Sequence, residues 1–188
     1  MRHANAMASS PASDLPPARD PDGPYRVCLV CLGNICRSPM AETVLRDAIT
    51  AAGLDGAVVV DSAGTGDWHI GEQMDASARE ALSRRGYDGS AHRARQIESS
   101  WLPQYDLILA MDRNNLHNLR RMAAGTDTGR IRLFGPEGGL TEPDGGQIPD
   151  PWGGGAEQFD YVLGLLRRAT PVIARRLARL LESDDAPA

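Results

Sequence analysis

Residues 26–38 read R-V-C-L-V-C-L-G-N-I-C-R-S, and the parsing of this stretch decides the fold. The run Arg26–Cys31 is short and apolar, which predicts a buried strand. Gly33 then permits backbone angles that other residues resist, and Asn34 tolerates the left-handed region. Pro39 suits the first turn of a helix, where a missing N–H costs little. The stretch therefore reads as strand, tight loop, helix. Three chemistries use cysteines in such a setting: a metal site, a disulfide switch, or a cradle for an anion.

Working outward, strand and helix patterns alternate along the chain. Apolar residues Met40, Val44, Leu45 and Ala48 recur at helical spacing over Pro39–Ala52, stopped by Gly53. Strands are predicted at Ala57–Val60, Asp106–Ala110 and Ile131–Phe134, and helices at Asp75–Arg85 and Arg113–Ala124. Residues 135–155 form a Gly- and Pro-rich loop. A long helix over 156–181 carries one apolar stripe (Phe159, Val162, Leu166, Ile173, Leu177, Leu180) that is expected to dock on the core. Its arginines (Arg167, Arg168, Arg175, Arg176, Arg179) read as a solvated face. This alternation predicts an α/β fold with a parallel sheet, and ligands of such sheets bind at the carboxyl ends of strands. Cys31 stands at one of those ends. Residues 1–24 show no periodicity and are expected to be a disordered arm. Residues 25–182 form the domain, and 183–188 a frayed tail.

Bulk properties narrow the function. The 188 residues suit one domain, and 41% hydrophobic residues suffice for a core. A formal net charge of −5 argues against a general nucleic-acid binder. No run approaches the ~18 apolar residues of a membrane span, and the first 24 residues contain no signal-like apolar stretch. The cysteines, Cys28, Cys31 and Cys36, are clustered and odd in number, so they are not a disulfide framework, and a cytoplasmic location is expected.

Side chains three apart on a strand face opposite ways, so Cys28 and Cys31 are not expected to bridge or to share a metal. A zinc site also lacks ligands at matching spacing. The anion cradle fares better. A loop between strand and helix can turn successive N–H groups inward as a nest for phosphate. Cys31 would lie at its base, where a helix N-terminus and Arg37 favour the thiolate. Arg37 can grip two phosphate oxygens with its planar fork, and Ser38 can hydrogen-bond the sulfur. A thiolate under a phosphate is placed to attack phosphorus. Expelling the alcohol then calls for a general acid, and Asp150, in I-P-D-P-W at 148–152, is the candidate carboxylate.

From about Arg26 to Leu181 the chain closely resembles the low-molecular-weight protein tyrosine phosphatases. C-L-G-N-I-C-R-S-P-M-A-E at 31–42, V-D-S-A-G-T-G-D-W-H-I-G at 60–71, H-R-A-R-Q-I at 92–97, L-I-L-A-M-D at 107–112 and P-D-P-W at 149–152 fall in the family's order. The resemblance implies a four-stranded parallel sheet flanked by helices on both faces. It implies Cys31 as nucleophile through a phosphocysteine, Arg37 as phosphate binder and Asp150 as acid and base. Residues 32–37 (Leu32, Gly33, Asn34, Ile35, Cys36, Arg37) would wrap the phosphate. Asn34, Ser38, Ser62, His92 and Asp112 would support the loop, and Ile35, Trp68 and Trp152 would line the substrate pocket. Cys36 matches a second loop cysteine that can protect Cys31 by a reversible disulfide. No metal or cofactor is implied. The partner would be a phosphotyrosine protein, with bacterial tyrosine kinases among the candidates, and the protein a monomer or weak dimer.

One departure and three alternatives follow. Trp152 and Gly153 stand where many relatives carry two tyrosines, which puts phosphorylation of that loop in doubt. No cysteine follows Cys36, against the arsenate reductases that share the loop. Protein-arginine phosphatases usually have threonine in place of Ile35, and a branched apolar residue there favours an aromatic ring. A non-catalytic phosphate-binding module would be expected to lack Cys31 or Asp150.

Overall fold

Strand β1 (Tyr25–Cys31) is the hub of the molecule, a computed structural model that describes residues 15–125 and 127–184. Helix α1 (Arg37–Ala51) leads to β2 (Val58–Gly64), and then follow α2 (Ala76–Ser83), β3 (Leu107–Ala110), α3 (Arg113–Met122), β4 (Ile131–Leu133), α4 (Phe134–Glu137) and α5 (Ala156–Asp184). The four strands are all parallel in the order β2-β1-β3-β4. The chain leaves β1 for β2 on one side and later returns to β3 on the other. The order therefore reverses at the carboxyl end of β1, where sheets of this kind open a crevice for ligands.

Side-chain alternation explains why β1 reads as continuously apolar. Val27, Leu29 and Cys31 join the core under α1, α2 and α5, while Cys28 and Val30 pack with Leu102, Ile108, Leu119 and Ile131 on the other face. A strand covered on both faces needs no polar positions. Cys28 and Cys31 are thus on opposite sides, and all three cysteines are free. The six expected stripe residues of α5 are all buried in the first of these clusters.

The predicted boundaries shift in instructive ways. β2 does not stop at Val60 but continues through Asp61 and Ser62, pairing Leu29 with Ser62 and Cys31 with Gly64. Its polar residues are tolerated because each has a partner: Asp61 accepts from Tyr105 Oη (3.1 Å) and pairs with the Arg95 guanidinium at 2.9 Å, and Ser62 donates to Glu42. Helix α1 begins at Arg37, so Pro39 lies third rather than first, still within the turn whose N–H groups have no helical partner. Phe134 opens α4 instead of ending β4. The expected disordered arm divides. Residues 1–14 lie outside the described residues, but 15–24 are packed: Leu15 is in the main core, Tyr25 donates to the carbonyl of Pro16 (2.8 Å), and Arg19 donates to that of Tyr105 (2.8 Å). Of the expected tail, Ser183 and Asp184 belong to α5, and 185–188 lie outside the described residues. Among the described residues no helix is long and apolar enough to cross a membrane.

Gly64, at the end of β2, sets how closely the sheet approaches the loop after β1. A Cβ there would lie 2.7 Å from the carbonyl oxygen of Leu32 and 3.0 Å from the nitrogen of Asn34. Gly64→Ala is expected to destabilise the protein by ~1–3 kcal/mol through overpacking. By contrast, Gly164→Ala, in open space on α5, should stabilise it by about 0.5–1 kcal/mol. Urea midpoints of the two variants check both signs.

Candidate active site

The loop from Leu32 to Cys36 is shaped by where its carbonyls go. The carbonyl of Cys31 accepts from Thr65 N (2.9 Å), that of Leu32 from Gly66 N (2.8 Å), that of Ile35 from Asp75 N (2.8 Å), and that of Cys36 from Met40 N (3.1 Å). The carbonyl of Asn34 accepts from His92 Nε2 at 2.7 Å. In a trans peptide the next N–H points opposite to the carbonyl. Anchoring these five carbonyls outside therefore turns the N–H groups of Leu32, Gly33, Ile35, Cys36 and Arg37 to the inner side, a nest for an anion. The N–H of Asn34 donates to Cys31 Sγ at 3.3 Å, and Ser38 Oγ lies 3.0 Å from the same sulfur.

Asn34 is the pin of this loop. It is fully buried with φ of 56°, in the left-handed region. Its amide donates to Ser38 Oγ and Ser62 Oγ, both at 2.9 Å, and its Oδ1 accepts from Arg95 N at 2.9 Å. Ser62 is held in turn by Glu42 at 2.5 Å. Burial lowers the pKa of His92, outweighing the Asn34 carbonyl and Glu42, which favour the cation. The ring is thus neutral near pH 7 and carries its proton on Nε2, facing the carbonyl.

The nest opens into a cleft of about 410 Å³ with Cys31 at its floor, and Leu32, Gly33, Ile35, Cys36 and Arg37 around it. Trp68 and Trp152 stand at the mouth, 68% and 66% exposed. Gly66 lets the Trp68 ring lie across the backbone, since a Cβ there would fall 1.8 Å from it. Arg37 is almost wholly buried. Its Nη1 donates to Asp112 Oδ2 (2.5 Å) and to the carbonyl of Ile148 (3.2 Å), and its Nη2 to Asp150 Oδ2 (2.8 Å). Burial opposes its charge, but Cys31, Asp150 and Asp112 outweigh burial and raise its pKa. Asp112 also caps α3 through Asn115 N at 2.7 Å. Burial pushes the Cys36 thiol up, reinforced by Asp75, Cys31 and Asp150, so it stays protonated beside Cys31.

The residues expected from the sequence therefore meet in one place: nine line the cleft, and Asn34, Ser38, Ser62, His92 and Asp112 form the hydrogen-bonded shell behind it. Three further residues belong to it. Glu42 fixes Ser62, and His69 lines the cleft with Nδ1 2.8 Å from Glu72. Arg95 binds Asn34 through its backbone and the carbonyl of Ser62 through Nε (2.8 Å), while its guanidinium covers Trp101 at 5.1 Å. Glu42 and Arg95 lie inside the sequence blocks M-A-E and H-R-A-R-Q-I, but which partners they hold depends on the packing of β2.

A thiol thus lies beneath an anion nest at the reversal point of a parallel sheet. Comparison with known proteins gives the family. Residues 26–183 match the family described as low molecular weight phosphotyrosine protein phosphatase. A low molecular weight protein-tyrosine-phosphatase of Streptomyces coelicolor is 43% identical over 147 residues, covering 78% of this chain and 89% of the relative. YfkJ of Bacillus subtilis, also a low molecular weight protein-tyrosine-phosphatase, is 40% identical over 75% of this chain and 88% of its own. Among solved structures, a protein tyrosine phosphatase from Entamoeba histolytica with Hepes in the active site superposes with a TM-score of 0.77 at 32% identity, covering 82% of this chain and 97% of that one. Vibrio vulnificus Wzb in complex with benzylphosphonate gives 0.70 at 31% identity, covering 81% and 99%. The chain belongs to the low-molecular-weight protein-tyrosine phosphatase family and is a hydrolase of that class.

The neutral His92 makes stability depend on pH. Its folded pKa is depressed, so its contribution is present above the unfolded value of ~6.5 and is lost as pH falls below it. Urea midpoints at pH 7.5 and 5 should show a larger acid loss for wild type than for His92→Gln. Equal losses would contradict the assigned neutral ring.

Proposed function

We propose that this chain hydrolyses phosphotyrosine in proteins by double displacement on Cys31. The sulfur attacks phosphorus while the ester P–O bond breaks, and Asp150 gives its proton to the departing phenolate. The Asp150 carboxylate then takes a proton from water as the water oxygen attacks phosphorus and the S–P bond breaks, releasing phosphate and restoring the thiolate. The inward N–H groups of Leu32, Gly33, Ile35, Cys36 and Arg37 hold the three phosphoryl oxygens, and preorganised donors of this kind stabilise the charge that builds in the transition state.

The observation that carries this reading is the position of Arg37 between the cleft floor and two carboxylates. Nη1 is tied to Asp112 and to the Ile148 carbonyl, which aims the guanidinium. Nη2 is shared with Asp150. A phosphate dianion competes with Asp150 for Nη2, because two full charges outweigh one. Substrate binding thereby frees Asp150 to carry a proton at the leaving oxygen. Ile35 and the two tryptophans supply apolar faces for a ring. The benzylphosphonate bound to Wzb joins a ring to a phosphonate in the same way.

The protonated Cys36 can close a disulfide on Cys31 once peroxide has converted that sulfur to the sulfenic acid, with water as the second product. The free cysteines this chemistry starts from suit a reducing compartment such as the cytoplasm. Bacterial tyrosine kinases fit the substrate class.

The test is hydrolysis of phosphotyrosine, phosphoserine and phosphoarginine peptides in EDTA. Phosphotyrosine alone should be cleaved, Cys31→Ser should be inactive, and Asp150→Ala should lose ~10²–10⁴-fold in kcat. Preference for phosphoarginine, or turnover by Cys31→Ser, would overturn the reading. After peroxide, thiol should restore wild type but not Cys36→Ala; equal recovery would remove the protective disulfide.

A further inference from the structure

A second groove, about 480 Å³, runs beside the catalytic cleft and meets it at Leu32, Arg37 and Asp150. One wall is α3 and the other is the 143–150 loop. Asn114 and Asn118 line it, one helical turn apart, and among the described residues neither side chain has a hydrogen bond. Asn115, between them, turns instead to Asp112. Pro143 and Pro149 give the groove apolar ground.

The charges of this groove are already spent internally. Asp112 and Asp150 share Arg37, and Asp144 faces Arg113 at 3.3 Å. Gln147 is likewise engaged, accepting from Arg113 N at 2.8 Å and donating to Asp144. Among the described residues lining the groove the one cation is Arg37, which the catalytic cleft shares, and this disfavours a second phosphate or a nucleotide. What remains is a pair of neutral amides, each offering both a donor and an acceptor. Side chains at i and i+4 on a helix are spaced by about 5–6 Å, close to the ~6.6 Å two-residue repeat of an extended chain. Amides at that interval match successive peptide groups on one edge of a strand.

We propose that this groove binds the polypeptide flanking the phosphotyrosine in an extended conformation, with Asn114 and Asn118 hydrogen-bonding its backbone. The inference rests on the phosphatase reading above. The main chain of a phosphotyrosine seated over Cys31 emerges at the cleft mouth, where the exposed Leu32 bridges the two grooves. Backbone recognition of this kind serves many sequences, and it is invisible to a small aryl phosphate.

Steady-state kinetics with two substrates tests it: p-nitrophenyl phosphate, and a capped phosphotyrosine peptide with several residues on each side. Asn114→Ala/Asn118→Ala should lower kcat/KM for the peptide about 5- to 50-fold, the range for two neutral hydrogen bonds. It should leave the aryl phosphate within about twofold, since neither residue lines the catalytic cleft. Exposed helical Asn→Ala changes favour the helix, so folding is preserved. An unchanged peptide rate, or an equal loss on both substrates, would overturn the proposal. If wild type cleaves neither substrate, the phosphatase reading itself fails and this one with it.

Discussion

Everything in the site depends on one residue held in an unfavourable backbone conformation. Asn34 occupies the left-handed region and is completely buried. A non-glycine residue stays there only when its surroundings over-determine it. Here the amide, the carbonyl and the N–H are all engaged, by Ser38, Ser62, Arg95, His92 and the Cys31 sulfur. These partners come from β1, β2, α1 and the segment before β3. The sheet order is therefore what makes the loop possible: β2 must lie beside β1 in a register that sets Ser62 beside Leu29 and Gly64 beside Cys31. Breaking the network would leave several buried polar groups unpaired, which costs more than the bonds themselves contribute.

The second constraint is electrostatic. One buried guanidinium serves two carboxylates and lies close to a sulfur. Burying Arg37 would be costly if it were unpaired, and Asp112 and Asp150 compensate it. The two carboxylates are not equivalent. Asp112 is fixed from both sides, since it also caps α3, and so acts as a mount. Asp150 sits on a loop between two prolines and is half exposed, so it can exchange its partner. The same pair of contacts thus stiffens Arg37 and holds Asp150 at the edge of the cleft, where the proposed mechanism needs a phosphate binder and an acid.

Much of this was legible in the residues. The strand-loop-helix reading of 26–52, the opposite facing of Cys28 and Cys31, and the docking stripe of α5 follow from periodicity and steric rules. The convergence of residues 31–38 with Asp150 needed the ordered motifs, because no local rule brings together positions over a hundred residues apart. Three things escaped. The full length of β2 is not legible, because Asp61 and Ser62 look like loop residues and their partners Tyr105, Arg95 and Glu42 are brought by the fold. The composition of residues 15–24 is turn-like and points to a free arm, yet Leu15 is buried and Arg19 and Tyr25 make directed bonds. The sequence assigns Arg37 and Asp150 two separate roles, and that they touch is a property of the folded loop alone.

The central claim is that phosphorus is transferred to the Cys31 sulfur. Asp150→Ala offers the direct measurement, using an aryl phosphate whose leaving group departs without an acid. The first step then proceeds while the second, which needs the carboxylate as base, is slow. Acid quenching and mass spectrometry of the whole chain and its fragments should reveal one added phosphoryl group, on the fragment carrying Cys31 and on that sulfur. Release of the phenol with no phosphoryl group on the protein, or with that group on another side chain, would contradict the account.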